Sequence, residues 1–156
     1  MDYKEQAIIS HREWRGKIDY ASKVSVKNHD DLSVVYTPGV GSACMEIHAN
    51  PELALEMTGV GNLVAVITDG SAVLGLGNIG PRAALPVMEG KCVLFKEFAG
   101  IDAIPIALDV HSTEEIVTAI TAIAPSLGGI NLEDIAAPIC FEVEEELHNK
   151  LDIPVM

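Results

Sequence analysis

Residues 63–99 read LVAVITDGSAVLGLGNIGPRAALPVMEGKCVLFKEFA, and the way this stretch divides decides the fold. It opens with an apolar run that ends at Asp69 and continues into GLGNIG, residues 75–80, which fits the G-x-G-x-x-G pattern of dinucleotide-binding loops. That pattern has chemical meaning only between a strand and a helix, followed by a second strand whose acid reaches a ribose roughly 20 residues on. Glu97 stands in about that place. The periodicity around it is helical, however. Leu85, Met88, Cys92, Phe95 and Ala99 recur at steps of three or four, and KCVLFKEF shows no alternation of apolar and polar residues. Residues 81–99 therefore read as one helix, locally strained at Pro86 and Gly90, with Glu97 on it. GLGNIG is then either a plain turn with glycines for close packing, or a close approach of backbone to an anion such as a carboxylate at a helix N-terminus.

Outward from this stretch, strand-like runs alternate with helical ones. LVAVITD, IPIALDV, GGINLED and IPVM are the strands, with helices after Pro81, Ser112 and Pro138. Repeated βα order is the signature of a mainly parallel sheet covered by helices. The expected fold is α/β, a three-layer α/β/α arrangement with a small four-stranded sheet, preceded by an N-terminal helical segment. Ser112 with Glu115 forms a capping-box pattern, and Glu146 with Lys150 is a favourable i,i+4 pair. Ahead of the sheet, residues 2–15 read as a polar helix and residues 18–41 as irregular. A turn at Thr37-Pro38-Gly39 releases a short helix toward Ile47, and Asn50 caps PELALEM. With no linker or repeat inside it, the chain is expected to form a single domain, residues 1–60 being a helical oligomerisation segment and 61–156 the βα part.

The composition narrows function further. The chain is 49% hydrophobic but only 4% aromatic, so its core is aliphatic, as buried parallel strands require. A formal net charge of −13 argues against nucleic acid, whose phosphates are bound by clustered Lys and Arg. Three widely spaced cysteines without C-x-x-C indicate neither a disulfide framework nor a zinc site, which fits a reducing cytoplasm. The first residues hold no apolar signal region, and charged or polar residues interrupt each apolar run before it is long enough for a membrane.

The residues suited to chemistry lie at the ends of the strands. Asp69, Asp109 and the pair Glu133-Asp134 each follow a strand, and in open parallel sheets ligands bind outside the carboxyl ends. Glu133 and Asp134 suit a hard divalent cation, which prefers oxygen ligands, though two acids do not complete such a site. Lys91 sits in a largely apolar helix. It is either a snorkelling surface lysine or a desolvated one whose lowered pKa makes it a base. Tyr36 precedes Thr37-Pro38-Gly39 in a loop, as an anchoring aromatic or as a proton donor facing a cleft. The five histidines show no metal or triad spacing.

VVYTPGVG (34–41), the run from Val66 to Ile106, and GGINLEDIAAPICFEVEEEL (128–147) together resemble the N-terminal domain of bacterial malic enzymes, over nearly the whole chain. The resemblance implies oxidative decarboxylation of L-malate to pyruvate and CO2, with NAD or NADP and Mg2+ or Mn2+. It implies that Tyr36 is the general acid that protonates the enolpyruvate and Lys91 the general base toward the malate hydroxyl. Glu133 and Asp134 become two of three metal ligands, the metal polarising the C2 oxygen and stabilising the enolate. Ala72 stands where larger, eukaryotic-type members carry a carboxylate-binding arginine, which leaves carboxylate binding to backbone N–H groups or to the loop itself, with Ser71, Gly77 and Asn78 as the expected substrate contacts. The resemblance also implies a homodimer, no membrane partner, a third metal ligand in an aspartate pair following LDIPVM, and a separate C-terminal domain for the nicotinamide cofactor. No residue of this chain is assigned to that cofactor, and by itself the chain is expected to be inactive. Two rival readings stand beside it: a domain of a malolactic enzyme, or a non-catalytic dimerisation or ligand-binding module.

Overall fold

A computed structural model describes residues 2–156 of the chain. They fall into two compact units, one formed by the residues up to Ile18 together with Asn62–Met156, the other by Asp19–Gly61.

The larger unit is built around β1 (Leu63–Thr68), which pairs in parallel with β2 (Asp102–Ala107) on one side and with β3 (Gly129–Leu132) on the other. From Ala65 to Thr68 every residue of β1 is buried, the continuous apolar run of a strand covered on both faces. Ala65 and Ile67 point to the main core, shared with Ile116 and Ile120 of α6 (Thr113–Ile123) and Val143 and Leu147 of α7 (Ile139–Lys150). Val66 points the other way, to Met88 and Cys92 of α5 (Pro81–Ala99). Three α/β/α layers result, as expected.

The fourth strand is the exception. In IPVM only Val155 pairs, as an isolated parallel bridge to Ile130, held by Ile130 N–H donating to Pro154 O at 2.9 Å and Met156 N–H to Ile130 O at 3.0 Å. The sheet therefore has three strands rather than four, since one residue in bridge geometry makes no ladder and Pro154 has no N–H to extend it.

Helix α5 is continuous across Pro86 and Gly90 and buries Ala84, Met88 and Cys92, a stripe at steps of four. It stops at Gly100, whose left-handed φ of 69° favours a residue without Cβ. Gly100 N–H donates to Lys96 O, the bond of a left-handed helix end, and Ile101 N–H donates further back to Phe95 O. Glu97 thus lies on α5 rather than at the end of β2, the strand that follows, so it does not stand where a ribose-binding acid would. Following α1 (Tyr3–Trp14), Lys17 fastens the chain to α5: its Nζ donates to Pro86 O at 2.7 Å and its backbone N–H to Glu89 Oε2 at 3.2 Å. The predicted capping box opens α6, where Ser112 Oγ accepts from Glu115 N–H and Glu115 Oε2 accepts from His111 N–H. The Lys150–Glu146 pair closes α7 at 2.8 Å.

The smaller unit holds α2 (His29–Val35), α3 (Val40–Ala49), a short 3-10 turn (Pro51–Leu53) and α4 (Ala54–Met57). Residues 18–41 are thus not wholly irregular: α2 starts at Asn28, whose Oδ1 accepts from Asp31 N–H at 2.8 Å, while Asp31 Oδ2 accepts from Lys27 N–H at 2.9 Å. Asn50 makes no side-chain cap, and PELALEM begins as the 3-10 turn rather than as one helix. None of these helices buries a residue.

Cys92 tests the packing of α5. It is fully buried, and its thiol is pushed up to about 11, by burial first and then by the charge of Glu89. A protonated, enclosed thiol is a poor nucleophile. At mildly alkaline pH a thiol-reactive disulfide reagent is expected to leave Cys92 unmodified in the native chain and to label it in concentrated urea. Labelling of native Cys92 as fast as the exposed Cys44 would contradict the described packing.

Candidate active site

The carboxyl end of β3 is where the chemistry gathers. Glu133 N–H still donates to Ile67 O at 2.8 Å, extending the ladder by one residue, and Asp134 then turns the chain with a left-handed φ of 54°. Helix α5 lies along the sheet by its buried stripe, and Lys91 stands at the border of that stripe beside Cys92. From there Lys91 Nζ comes to 2.6 Å from Glu133 Oε1. The lysine side chain is 39% exposed and the glutamate 20%, so the pair is partly sheltered from water. Lys91 is therefore not a free snorkelling lysine.

Asp134 is the electrostatically uncomfortable member. Its Oδ2 is buried without a hydrogen-bond partner. Burial, then the neighbouring charge of Glu133, hold its carboxyl above the ordinary value of 3.8, with the Leu74 amide and Lys91 opposing. A buried carboxylate oxygen with no donor is costly unless a cation or hydrogen bond meets it. Two adjacent carboxylates with one lysine between them leave a local excess of negative charge. The donor set, all oxygen, fits a hard divalent cation. Among the described residues no group of three or more His, Cys, Asp and Glu side chains is gathered for a metal, so this pair supplies part of a ligand set.

The glycine loop lies against the same edge. Gly70 O accepts from Ile79 and Gly80 N–H, Val73 and Gly77 exchange backbone bonds, and Ala72 N–H donates to Asp134 O at 2.9 Å. A Cβ on Gly70 would collide with the Gly80 carbonyl, so the loop closes only with glycine there. Gly77 N–H is committed to Val73 O at 2.8 Å, whereas Asn78 is exposed. Ser71 Oγ donates to Asp69 Oδ1 at 2.6 Å and accepts from Ala136 N–H at 2.8 Å.

Of the strand-end acids, Asp69 is buried and joins the loop after β3 through Ser71. Asp109 does not join them. Its side chain is 88% exposed, with His111 Nε2 at 4.0 Å. Tyr36 belongs to the smaller unit, directly after α2, and is 66% exposed. Its N–H donates to Leu32 O and its carbonyl accepts from Val40 N–H, both at 2.8 Å. The link from Asp69 through Ser71 to Ala136 went unread in the sequence. Its signal was the D-G-S at a strand end, where a carboxylate caps the amide two residues on.

The penalty at Asp134 has a sign. An acid whose pKa is raised by folding contributes stability that is fully present at low pH and is lost as pH rises through the carboxylate range, from 3.8 upward. In the presence of a chelator, Asp134→Asn is expected to raise stability in urea at neutral pH by about 1 kcal/mol, the usual gain where function is held against stability. The gain should shrink toward pH 3.8. A destabilised variant would contradict this description of the carboxyl.

The profile of the family described as malic enzyme, N-terminal domain, matches residues 15–148. The bifunctional malic/malolactic enzyme of Bacillus subtilis (strain 168) is 54% identical over 155 residues, 99% of this chain and 38% of its own length. The NAD-dependent malic enzyme of Geobacillus stearothermophilus is 61% identical over 140 residues, 90% of this chain and 29% of its own. Among solved structures, the NAD-dependent malic enzyme of Thermotoga maritima matches with a TM-score of 0.93 at 50% identity, covering 96% of this chain and 42% of that one. The malic enzyme of Entamoeba histolytica matches with a TM-score of 0.94 at 36% identity, covering 99% and 33%. The chain thus spans between 29% and 38% of the length of these two curated relatives. The profile runs from the end of α1 into α7, and the chain belongs to the malic enzyme N-terminal domain family.

Proposed function

We propose that the chain is the substrate- and metal-binding domain of an oxidoreductase that decarboxylates L-malate to pyruvate and CO2 with NAD or NADP. The observation that carries this reading is the Lys91–Glu133 ion pair beside the unpartnered Oδ2 of Asp134. Glu133 and Asp134 hold Mg2+ or Mn2+, which when bound supplies Lewis-acid polarisation of the substrate oxygen and stabilisation of the enolate. Lys91 takes the proton of the malate hydroxyl. For that it must leave Glu133 and first lose its own ammonium proton to solvent, and a cation drawing on the same carboxylate competes for Glu133. Tyr36, a largely exposed phenol, returns a proton to carbon once CO2 has left. Loop residues Ser71, Gly77 and Asn78 lie on the substrate side, and the cofactor is held outside this chain.

The smaller unit supports a homodimer. It has no buried residue of its own in its helices and exposes Leu32, Val34, Met45 and Leu55, an apolar surface of the kind that association covers. No helix among the described residues is long and apolar enough to cross a membrane, and a cytoplasmic setting accords with the free cysteines. Malolactic chemistry is the second reading, favoured by the name of the relative that is 54% identical over 99% of the chain. Product analysis, pyruvate against lactate, separates the two.

Lys91→Met tests the assignment of the base. In a full-length malic enzyme whose matching part is replaced by this chain, the substitution is expected to lower kcat for malate about 100- to 10,000-fold. In the chain itself Mn2+ should bind about two- to fivefold more tightly, because Glu133 no longer has an ion pair to abandon. Undiminished turnover would contradict the role of Lys91, and lost Mn2+ binding would contradict the competition.

A further inference from the structure

We propose that Ser71, braced by Asp69, is a positioning residue that sets the Glu133–Asp134 turn for cation binding. This rests on the reading that the two carboxylates hold a divalent cation.

Asp134 occupies left-handed backbone space at a φ of 54°, which costs an aspartate less than most residues with Cβ but still has to be held by its neighbours. The surroundings do so on both sides of the turn. Upstream, Glu133 N–H is tied to Ile67 O. At the turn, Asp134 O accepts from Ala72 N–H at 2.9 Å. Two residues downstream, Ala136 N–H donates to Ser71 Oγ at 2.8 Å. Ser71 is itself fixed, because both its hydroxyl and its backbone N–H donate to Asp69 Oδ1, at 2.6 and 2.9 Å.

Asp69 is only 8% exposed and directly follows the central strand, whose last four residues are all buried. The serine therefore transmits the position of β1 to the loop after β3 through one hydroxyl. A hydroxyl is the group this relay needs, since it must donate to a carboxylate and accept from an amide at once. Neither Asp69 nor Ser71 has to touch the ion. They act as the supports behind metal ligands do, by fixing ligand orientation, and loss of such supports typically weakens metal affinity about 10- to 100-fold.

The test uses Mn2+ alone and the 156-residue chain. Binding is followed by the electron paramagnetic resonance of free Mn2+, and the amide exchange of Ala136 by NMR. Ser71→Ala is expected to remain folded, to lose protection at the Ala136 amide and to bind Mn2+ about 10- to 100-fold more weakly. Ser71→Thr, which keeps the hydroxyl, should restore both protection and affinity. Asp69→Asn keeps an oxygen acceptor for Ser71 and serves also if Ser71→Ala does not fold; it should weaken Mn2+ less than about threefold, well below the roughly 10- to 100-fold range for a lost support. Wild-type affinity in Ser71→Ala, or no rescue by threonine, overturns the proposal. A loss in Asp69→Asn as large as that in Ser71→Ala also overturns it, by giving Asp69 a direct part in holding the ion. A wild-type chain that takes up no Mn2+ overturns instead the cation reading on which the proposal rests.

Discussion

The burial of β1 on both faces is the constraint on which the rest depends. A strand whose residues from Ala65 to Thr68 are all enclosed must have a helix layer on each side, and parallel neighbours obtain those helices from their own crossovers. The helix α5 that follows β1 is thereby pressed on one face, while α6 and α7 fill the other. Because all three strands run the same way, their carboxyl ends share one edge. Lys91 then meets Glu133 across that edge without either residue being near the other in sequence. The ion pair is a consequence of the sheet.

At the edge itself the structure works against its own comfort. Asp134 combines a left-handed backbone, a buried oxygen without a donor and a neighbouring carboxylate, three features that each disfavour the folded state. Their coincidence at one residue is what distinguishes a poised site from ordinary capping. Asp109, equally a strand-end acid, shows the ordinary outcome, exposed and solvated. The price at Asp134 is met by the rigid parts around it, Ile67, Ala72 and the Ser71 relay.

How much of this was legible in the sequence follows from the range of each interaction. The limits of α5 were readable because its period, its proline start and its glycine stop all lie within the helix. The capping box at Ser112 and the Glu146–Lys150 pair were readable for the same reason, each spanning three or four residues. The start of α2 is equally local, in Asn28 and Asp31, but it carries no hydrophobic period long enough to mark a helix of seven residues. IPVM was overread, since its apolar run says nothing of how many of its residues find a partner on β3. The pairing of Lys91 with Glu133, and the link from Ser71 to Ala136, join positions 42 and 65 residues apart. No periodicity carries such contacts. Strand-end placement named the acids, and only the fold distinguished Asp134 from Asp109.

On the proposed function, Glu133 and Asp134 together hold a divalent cation beside Lys91. Crystals of the chain grown with Mn2+ and examined by anomalous scattering test it most directly. A single strong peak is expected within ligand distance of both carboxylates, with Lys91 turned away from Glu133. A peak elsewhere, or none at these residues with the Lys91–Glu133 pair intact, would contradict it.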